Sequence, residues 1–253
     1  MILDLFKLDG KVAIVTGANT GLGQGISVGL AEAGADIAGI GRSDMSETKK
    51  MVEAAGKKFL PISADLMTLE AVDRIVEESV KEYGHIDILV NNAGIIRRTP
   101  AIDYSEKDWD DVMNTNLKTL FFLSQAVARQ FIKQGNGGKI INIASMLSYQ
   151  GGIIVPGYTS SKSGVMGLTR ALANEWSKDN INVNAIAPGY MATNNTKALR
   201  ADEDRSAGIL ARIPAGRWGT PSDVEGAAVF LASAAASYVN GFTLAVDGGW
   251  LAR

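Results

Sequence analysis

The chain has no cysteine and only one histidine, His85, in 253 residues. The first absence excludes disulfides, thiolate zinc sites and cysteine nucleophiles. The second excludes paired-histidine metal motifs and leaves a Ser-His-Asp triad only His85 to draw on. His85 lies in Tyr83-Gly84-His85-Ile86-Asp87, where a helical pattern hands over to a strand, and reads as a surface-loop residue. Acid-base chemistry near neutral pH therefore falls to Tyr, Lys, Asp or Glu. No apolar run approaches the roughly 18 residues that span a bilayer. The formal net charge is -2 and the pI about 5.6, which recommends neither nucleic acid nor an anionic membrane surface as main partner. The stretch Met1-Ile2-Leu3-Asp4-Leu5-Phe6-Lys7 is too short and too acidic for a secretory signal, so the expected location is the cytoplasm.

What is present is an alternation of short apolar runs with longer amphipathic ones. Strands are expected near 12–15, 37–40, 59–63, 86–90, 139–144, 181–187 and 243–246. Helices are expected near 22–33, 46–55, 69–83, 106–134, 158–178 and 222–232. The long helix is expected to stop at the breaker Gly135-Asn136-Gly137-Gly138. Continuous apolar strands separated by helices imply a parallel sheet covered on both faces. No linker, repeat or low-complexity segment interrupts the pattern. The expectation is one α/β domain over 1–253, a doubly wound parallel sheet of about seven strands. The least regular stretch, Gly189 to Arg217, is expected to cover a ligand at the carboxyl edge of that sheet.

The first strand runs into Thr16-Gly17-Ala18-Asn19-Thr20-Gly21-Leu22-Gly23 and then a helix. Such a turn lets backbone and helix N-terminus approach a pyrophosphate, as in Rossmann-type dinucleotide sites. The spacing is Gly-x-x-x-Gly-x-Gly rather than Gly-x-Gly-x-x-Gly. Two later strand ends fall on the same edge: Ala64-Asp65-Leu66 and Asn91-Asn92-Ala93-Gly94. Asp65 can accept from an adenine amino group, and Asn91 and Gly94 can lie close to ribose. Further on, Tyr158 and Lys162 form a Tyr-x-x-x-Lys pair that faces one way on a helix. A phenol titrates near pH ~10. A cation ~4 Å away at an effective dielectric of ~20 is worth roughly 4 kcal/mol, or about 3 pKa units in favour of phenolate. The pair is thus expected to make Tyr158 an acid/base for an alcohol.

These pieces occur in one order over almost the whole chain, together with Asn116, Ser145 and Pro188-Gly189. The pattern resembles the short-chain dehydrogenase/reductase family in its single-domain form. The resemblance implies an NAD(P)-dependent oxidoreductase that uses no metal and assembles as a homotetramer through two long helices and the C-terminal strand region. It implies that Tyr158 is the catalytic acid/base and that Lys162 lowers its pKa and binds the nicotinamide ribose. Ser145 would hold the substrate oxygen, Asn116 would place a water in a proton relay, and Thr193 would bond the nicotinamide carboxamide. The cofactor would lie along Gly17, Asn19, Thr20, Gly21, Leu22, Gly23, Asp65, Leu66, Asn92, Ala93, Gly94, Pro188 and Gly189. At the end of the second strand the acidic residue common in NAD-using members is missing: Gly41 stands there, followed by Arg42. Arg42 is either a clamp for a 2′-phosphate or a solvated loop residue, and the reading leans to NADP or dual use.

Around the site the sequence offers Gln150, Arg97, Arg98, Asn194, Asn195 and Arg217, with Tyr149, Tyr190 and Trp218. Cations and hydrogen-bonding groups suit a polyhydroxy acid, and Gln150, Ser145 and Tyr158 are the expected substrate residues. The stretches 143–152, 187–196, 212–219 and 247–253 resemble the sugar-acid dehydrogenases of the family, which implies a small-molecule sugar-acid substrate. Two other readings stay open: a reductase acting on gluconate or a β-ketoacyl carrier-protein thioester, docked through Arg97, Arg98 and Arg129, and a non-catalytic NAD(P)-binding sensor.

Overall fold

Residues Val12 to Thr16 form the first strand, β1, buried along its whole length. Its side chains alternate between two cores, Ala13 and Val15 on one face and Ile14 on the other, as the period of a strand requires. The other strands are β2 (Asp36–Gly41), β3 (Phe59–Ser63), β4 (Ile88–Asn91), β5 (Gly138–Ile143), β6 (Ile181–Pro188) and β7 (Thr243–Val246) in a computed structural model that describes all residues, 1–253. They form one parallel sheet in the order β3-β2-β1-β4-β5-β6-β7. The winding reverses between β1 and β4, which pair directly with Val15 opposite Val90. That reversal opens a crevice at the carboxyl ends of the strands.

Helices cover both faces. The helices α1 (Gly21–Glu32), α2 (Ser46–Ala54), α3 (Val72–Tyr83), α4 (Glu106–Met113), α5 (Thr119–Gln134) and α6 (Pro156–Trp176) follow in chain order. The last three are α7 (Lys197–Ala201), α8 (Glu203–Leu210) and α9 (Ser222–Ala232). Ile26 and Leu30 of α1, Val52 of α2 and Val224 and Leu231 of α9 fill one core. Ile75 of α3, Leu123, Val127 and Phe131 of α5 and Leu172 of α6 fill the other. The helix ends are chemically marked. Ser105 caps α4 by accepting from the Asp108 amide, and α3 and α5 stop at Gly84 and Gly135 in the left-handed region.

Two segments differ from expectation. The long helix at 106–134 is not one regular helix: a π turn at Asn114–Lys118 separates α4 from α5. An inserted residue of this kind widens the helix locally and re-aims a side chain, and Asn116 is turned fully inward. The stretch 189–217 is also more regular than its sequence suggests. It holds a 3-10 turn at Asn194–Thr196 and the helices α7 and α8. Their few apolar residues give little periodicity, but Asp202 caps α8 through the Arg205 amide. Ile209 and Leu210 pack on a small cluster of Met146, Ile213 and Trp250.

Candidate active site

The ends of β1 and β4 are stapled together before the glycine turn begins. The Thr16 hydroxyl accepts from the backbone amides of Asn92 and Ala93, both at 2.9 Å, and the Asn92 side chain donates to the Thr16 carbonyl at 2.9 Å. Gly17 and Gly21 then take positive φ, +68° and +58°. Gly23 is required for space rather than for φ, since a Cβ there would lie 2.1 Å from the Gly17 carbonyl oxygen and 2.4 Å from the Asn92 amide nitrogen. Only a residue without a side chain lets the turn fold onto the first turn of α1, where free N–H groups attract phosphate.

Two cavities meet at this turn, sharing Gly17, Asn19, Ala93 and Gly94. One, about 270 Å³, is lined by Thr20, Gly21, Leu22, Asn92, Tyr158, Lys162, Thr193 and Asn194. The other, about 300 Å³, runs past Gly41, Arg42, Ser43, Asp65 and Leu66. Together they make a trough along the sheet edge that a dinucleotide fits, with glycines beneath its middle. Asn91, expected near the ribose, is buried instead. It donates to Ser124 and Asn142, both at 2.9 Å, and its side chain serves the interior. Pro188 lines neither cavity and ends buried β6, while Gly189 opens onto the neighbouring cavity described below. His85 lies at the opposite edge of the sheet, exposed, within 3.1 Å of the Gly10 carbonyl and of Asp87.

At the far end of the trough no side chain rises from Gly41. Arg42 sits 3.8 Å from Asp65 in a loose, half-exposed ion pair. Asn19 donates to Ser43 at 2.7 Å. A cation beside a hydroxyl and an amide, with no carboxylate at position 41, suits a phosphate monoester better than a bare diol.

Ser145 follows β5 and Tyr158 and Lys162 lie one turn apart on α6, whose first residue is Pro156. The Ser145 hydroxyl oxygen accepts from the Leu147 amide at 3.1 Å, so its own proton is available toward Tyr158 or a substrate oxygen. Lys162 is 3% exposed and donates to the Ile143 carbonyl at 2.5 Å. Its nitrogen lies 5.8 Å from the centre of the Tyr158 ring. Ser148 donates to the Lys162 carbonyl at 2.7 Å and fixes α6 against the turn after β5. The Asn116 side chain accepts from the Ile95 amide and spends both N–H donors, on the Ile95 carbonyl and on Ser161. Asn116 therefore braces the segment after β4 against α6.

The electrostatics overturn one expectation. Burial pushes the Tyr158 phenol above its usual range, while the Ser145 side chain and the Arg98 charge pull it back. Burial also lowers Lys162 to about 8. The Coulomb argument from spacing alone assumed an ammonium aimed at the phenol. Here that ammonium is spent first on the Ile143 carbonyl, and desolvation disfavours the charged form of both groups.

Tyr158 also lines a third cavity, the largest, of about 490 Å³. Ser145, Gln150, Gly189, Tyr190 and Asn195 border it, as the sequence led one to expect of most of them. Arg98 borders it too, donating to the Asn195 carbonyl at 3.1 Å. Arg97, Arg217 and Tyr149 do not. Arg97 is held by Asp108 and Asp111, each at 3.3 Å, Arg217 grips Asp223 at 2.8 and 2.6 Å, and the Tyr149 hydroxyl donates to the Thr243 carbonyl. Trp218 stands behind the wall, edge-on to Tyr190. Sequence reasoning missed Arg205, Arg212 and Trp250 as lining residues. The only signal for the first was the cap at Asp202 that starts α8.

The fold and site define a nucleotide-binding oxidoreductase. Comparison with known proteins agrees. A family model described as enoyl-(acyl carrier protein) reductase matches residues 17–251. The chain is 68% identical over its full length to 2-dehydro-3-deoxy-D-gluconate 5-dehydrogenase of Dickeya dadantii and 67% identical to the enzyme of that name from Escherichia coli, covering 100% of each. A crystal structure from Agrobacterium tumefaciens, described as a 2-deoxy-D-gluconate 3-dehydrogenase with bound NADP, superposes with a TM-score of 0.94. It is 55% identical, with 99% of this chain and 100% of that one covered. The chain belongs to the short-chain dehydrogenase/reductase family.

Proposed function

We propose that the chain is an NADP(H)-linked oxidoreductase that interconverts the C5 hydroxyl and ketone of a sugar acid, with 2-dehydro-3-deoxy-D-gluconate as the alcohol. One observation carries this reading: Tyr158 stands at the junction of a dinucleotide trough and a cation-lined cavity. Relatives that match end to end and bear that substrate's name support the sugar acid, and the NADP held by the Agrobacterium structure supports the cofactor.

The bound nicotinamide supplies the hydride acceptor or donor. Tyr158 takes the alcohol proton during oxidation and returns it during reduction. Ser145 donates its hydroxyl proton to the substrate oxygen as negative charge develops there. Lys162 keeps two further N–H donors for the ribose, and its charge, present below about pH 8, favours the phenolate that Tyr158 must be in order to accept the alcohol proton. Thr193 and the glycines orient the cofactor, and Arg42 with Ser43 and Asn19 holds its 2′-phosphate. The reactive unit is one domain over 1–253, with 189–217 covering the substrate. Exposed Trp109 and Ile132 on the stretch 106–134 and Phe242 beside β7 support a homotetramer packed through the two long helices, 106–134 and α6, and the C-terminal strand region. A small, polar substrate supports a cytoplasmic location.

A carrier-protein reductase fits less well. Of the three arginines that would form its docking patch, Arg97 is neutralised by two aspartates and Arg129 lines none of the cavities. The test is Tyr158→Phe assayed by nicotinamide absorbance with 2-dehydro-3-deoxy-D-gluconate. Turnover should fall by about 10³-fold or more with NADPH affinity unchanged. Near-normal turnover in that variant sinks the assignment. Tight cofactor binding by the wild type without turnover of any sugar acid favours the sensor.

A further inference from the structure

The largest cavity is lined by three arginines, Arg98, Arg205 and Arg212, and by no aspartate or glutamate. Arginines just outside it, Arg97 and Arg217, are paired with carboxylates, whereas these three make no ion pair. Unpaired cations gathered in a cleft call for an anion. Their surroundings separate them. Arg98 already gives one nitrogen to the Asn195 carbonyl, and its charge bears on Tyr158, at the reacting end. Arg205 rises from α8 with nothing to fix its guanidinium.

Arg212 is different. Its guanidinium carbon lies 4.1 Å from the centre of the Trp250 ring. Trp250 is 4% exposed, donates through its indole nitrogen to the Gln150 side chain at 3.1 Å, and meets Tyr190 edge-on at 4.9 Å. An arginine laid on an aromatic face keeps the edges of its fork open and loses less freedom when it binds. No side-chain hydrogen bond occupies that fork. Held by Trp250, the Gln150 amide group keeps its N–H donors for the same cavity.

We propose that Arg212, preorganised on Trp250, recognises the substrate carboxylate and makes the enzyme select acids over neutral sugars, an inference that rests on the sugar-acid reading above. A planar fork meeting a carboxylate makes two parallel charge-assisted bonds, which a lysine does not reproduce. The bound carboxylate then sets which carbon of the chain reaches Tyr158 and Ser145.

The test compares oxidation of 2-dehydro-3-deoxy-D-gluconate with that of its methyl ester, using NADP⁺ and the wild type, Arg212→Gln, Arg212→Lys and Arg205→Gln. In Arg212→Gln, kcat/KM for the acid should fall about 30- to 100-fold, mostly through KM, while the ester changes less than about threefold. Arg212→Lys, which keeps the charge, should still lose about tenfold on the acid. Arg205→Gln should leave the acid-to-ester ratio within about threefold of wild type. NADPH affinity should be unchanged in all three, which shows that the trough is intact. An unchanged acid-to-ester ratio in Arg212→Gln, or its loss in Arg205→Gln instead, overturns the assignment while leaving the sugar-acid reading in place. A wild type that binds NADPH yet oxidises neither compound overturns that reading and this inference with it.

Discussion

Replacing Arg42 by alanine isolates the cofactor choice from the chemistry, because the residue stands at the far end of the trough from Tyr158. In the structure its guanidinium has only loose partners, Asp65 at 3.8 Å and the Met67 sulfur at 3.7 Å, and its side chain is 60% exposed. Such a pair is worth less than about 1 kcal/mol, so little is given up when the arginine turns to a phosphate. A hydrogen bond to a charged group contributes roughly 1.5–3 kcal/mol, which corresponds to about 10- to 150-fold in Kd. Arg42→Ala should therefore raise the Kd of NADPH by about that factor and leave NADH nearly untouched. The reverse change is Gly41→Asp, which restores an acid for the ribose diol. Its Cβ would lie 3.3 Å from the Asn19 side-chain oxygen, so that neighbour must give by a few tenths of an ångström. It should shift preference toward NADH both by attraction to the diol and by repulsion of the phosphate. Fluorescence titration of the two reduced cofactors against each variant supplies the measurement. If Arg42→Ala binds NADPH as tightly as wild type, Arg42 is a solvated loop residue and the phosphate clamp must be sought elsewhere.

Two other outcomes test different parts of the site. Gly23→Ala places a methyl group 2.1 Å from the Gly17 carbonyl oxygen; the turn must open, with a cost of about 1–3 kcal/mol, and thermal melts should show both a lower Tm and loss of the stabilisation that NADPH gives wild type. Because burial lowers Lys162 to about 8, its ammonium is present below that pH and lost above it. NADPH affinity should therefore weaken as pH rises through about 8, and Lys162→Met should bind weakly with no inflection there; an unchanged inflection in that variant assigns it to another group. The same shift has a sign for stability: the unfolded lysine stays protonated up to its ordinary value near 10.5, so between about 8 and 10.5 the unfolded state binds more protons and this group alone makes stability rise with pH.

The sheet was legible because its inner strands are buried on both faces. Each of the seven runs is mostly apolar, and the predicted boundaries lie within two residues of the observed ones. Glycine breakers marked the helix ends at Gly84 and Gly135. The π turn was not legible. Its cause is a buried pairing of Asn116 with Ile95, twenty-one positions earlier, and periodicity within a helix does not report such a partner. The helix α8 was hidden for a related reason: it is held by a cap at Asp202 and a few contacts with the cluster of Met146 and Trp250, not by a broad apolar face. Among the arginines, type and proximity along the chain could not tell Arg97, neutralised by Asp108 and Asp111, from Arg212, free on Trp250.

The kind of chemistry was already set by residue types and their spacing. With no cysteine and one remote histidine, a Tyr-x-x-x-Lys pair downstream of a glycine turn left a tyrosine as the proposed acid/base, and the alternation of apolar runs put both at one edge of a parallel sheet. Energetics and selectivity came from folding. Burial, which acts from all directions at once, reversed the expected direction of the Tyr158 shift and drew Lys162 down with it. Long-range pairing chose which cations remain free in the cleft, because a salt bridge or an aromatic face arrives from segments that only the folded chain brings together.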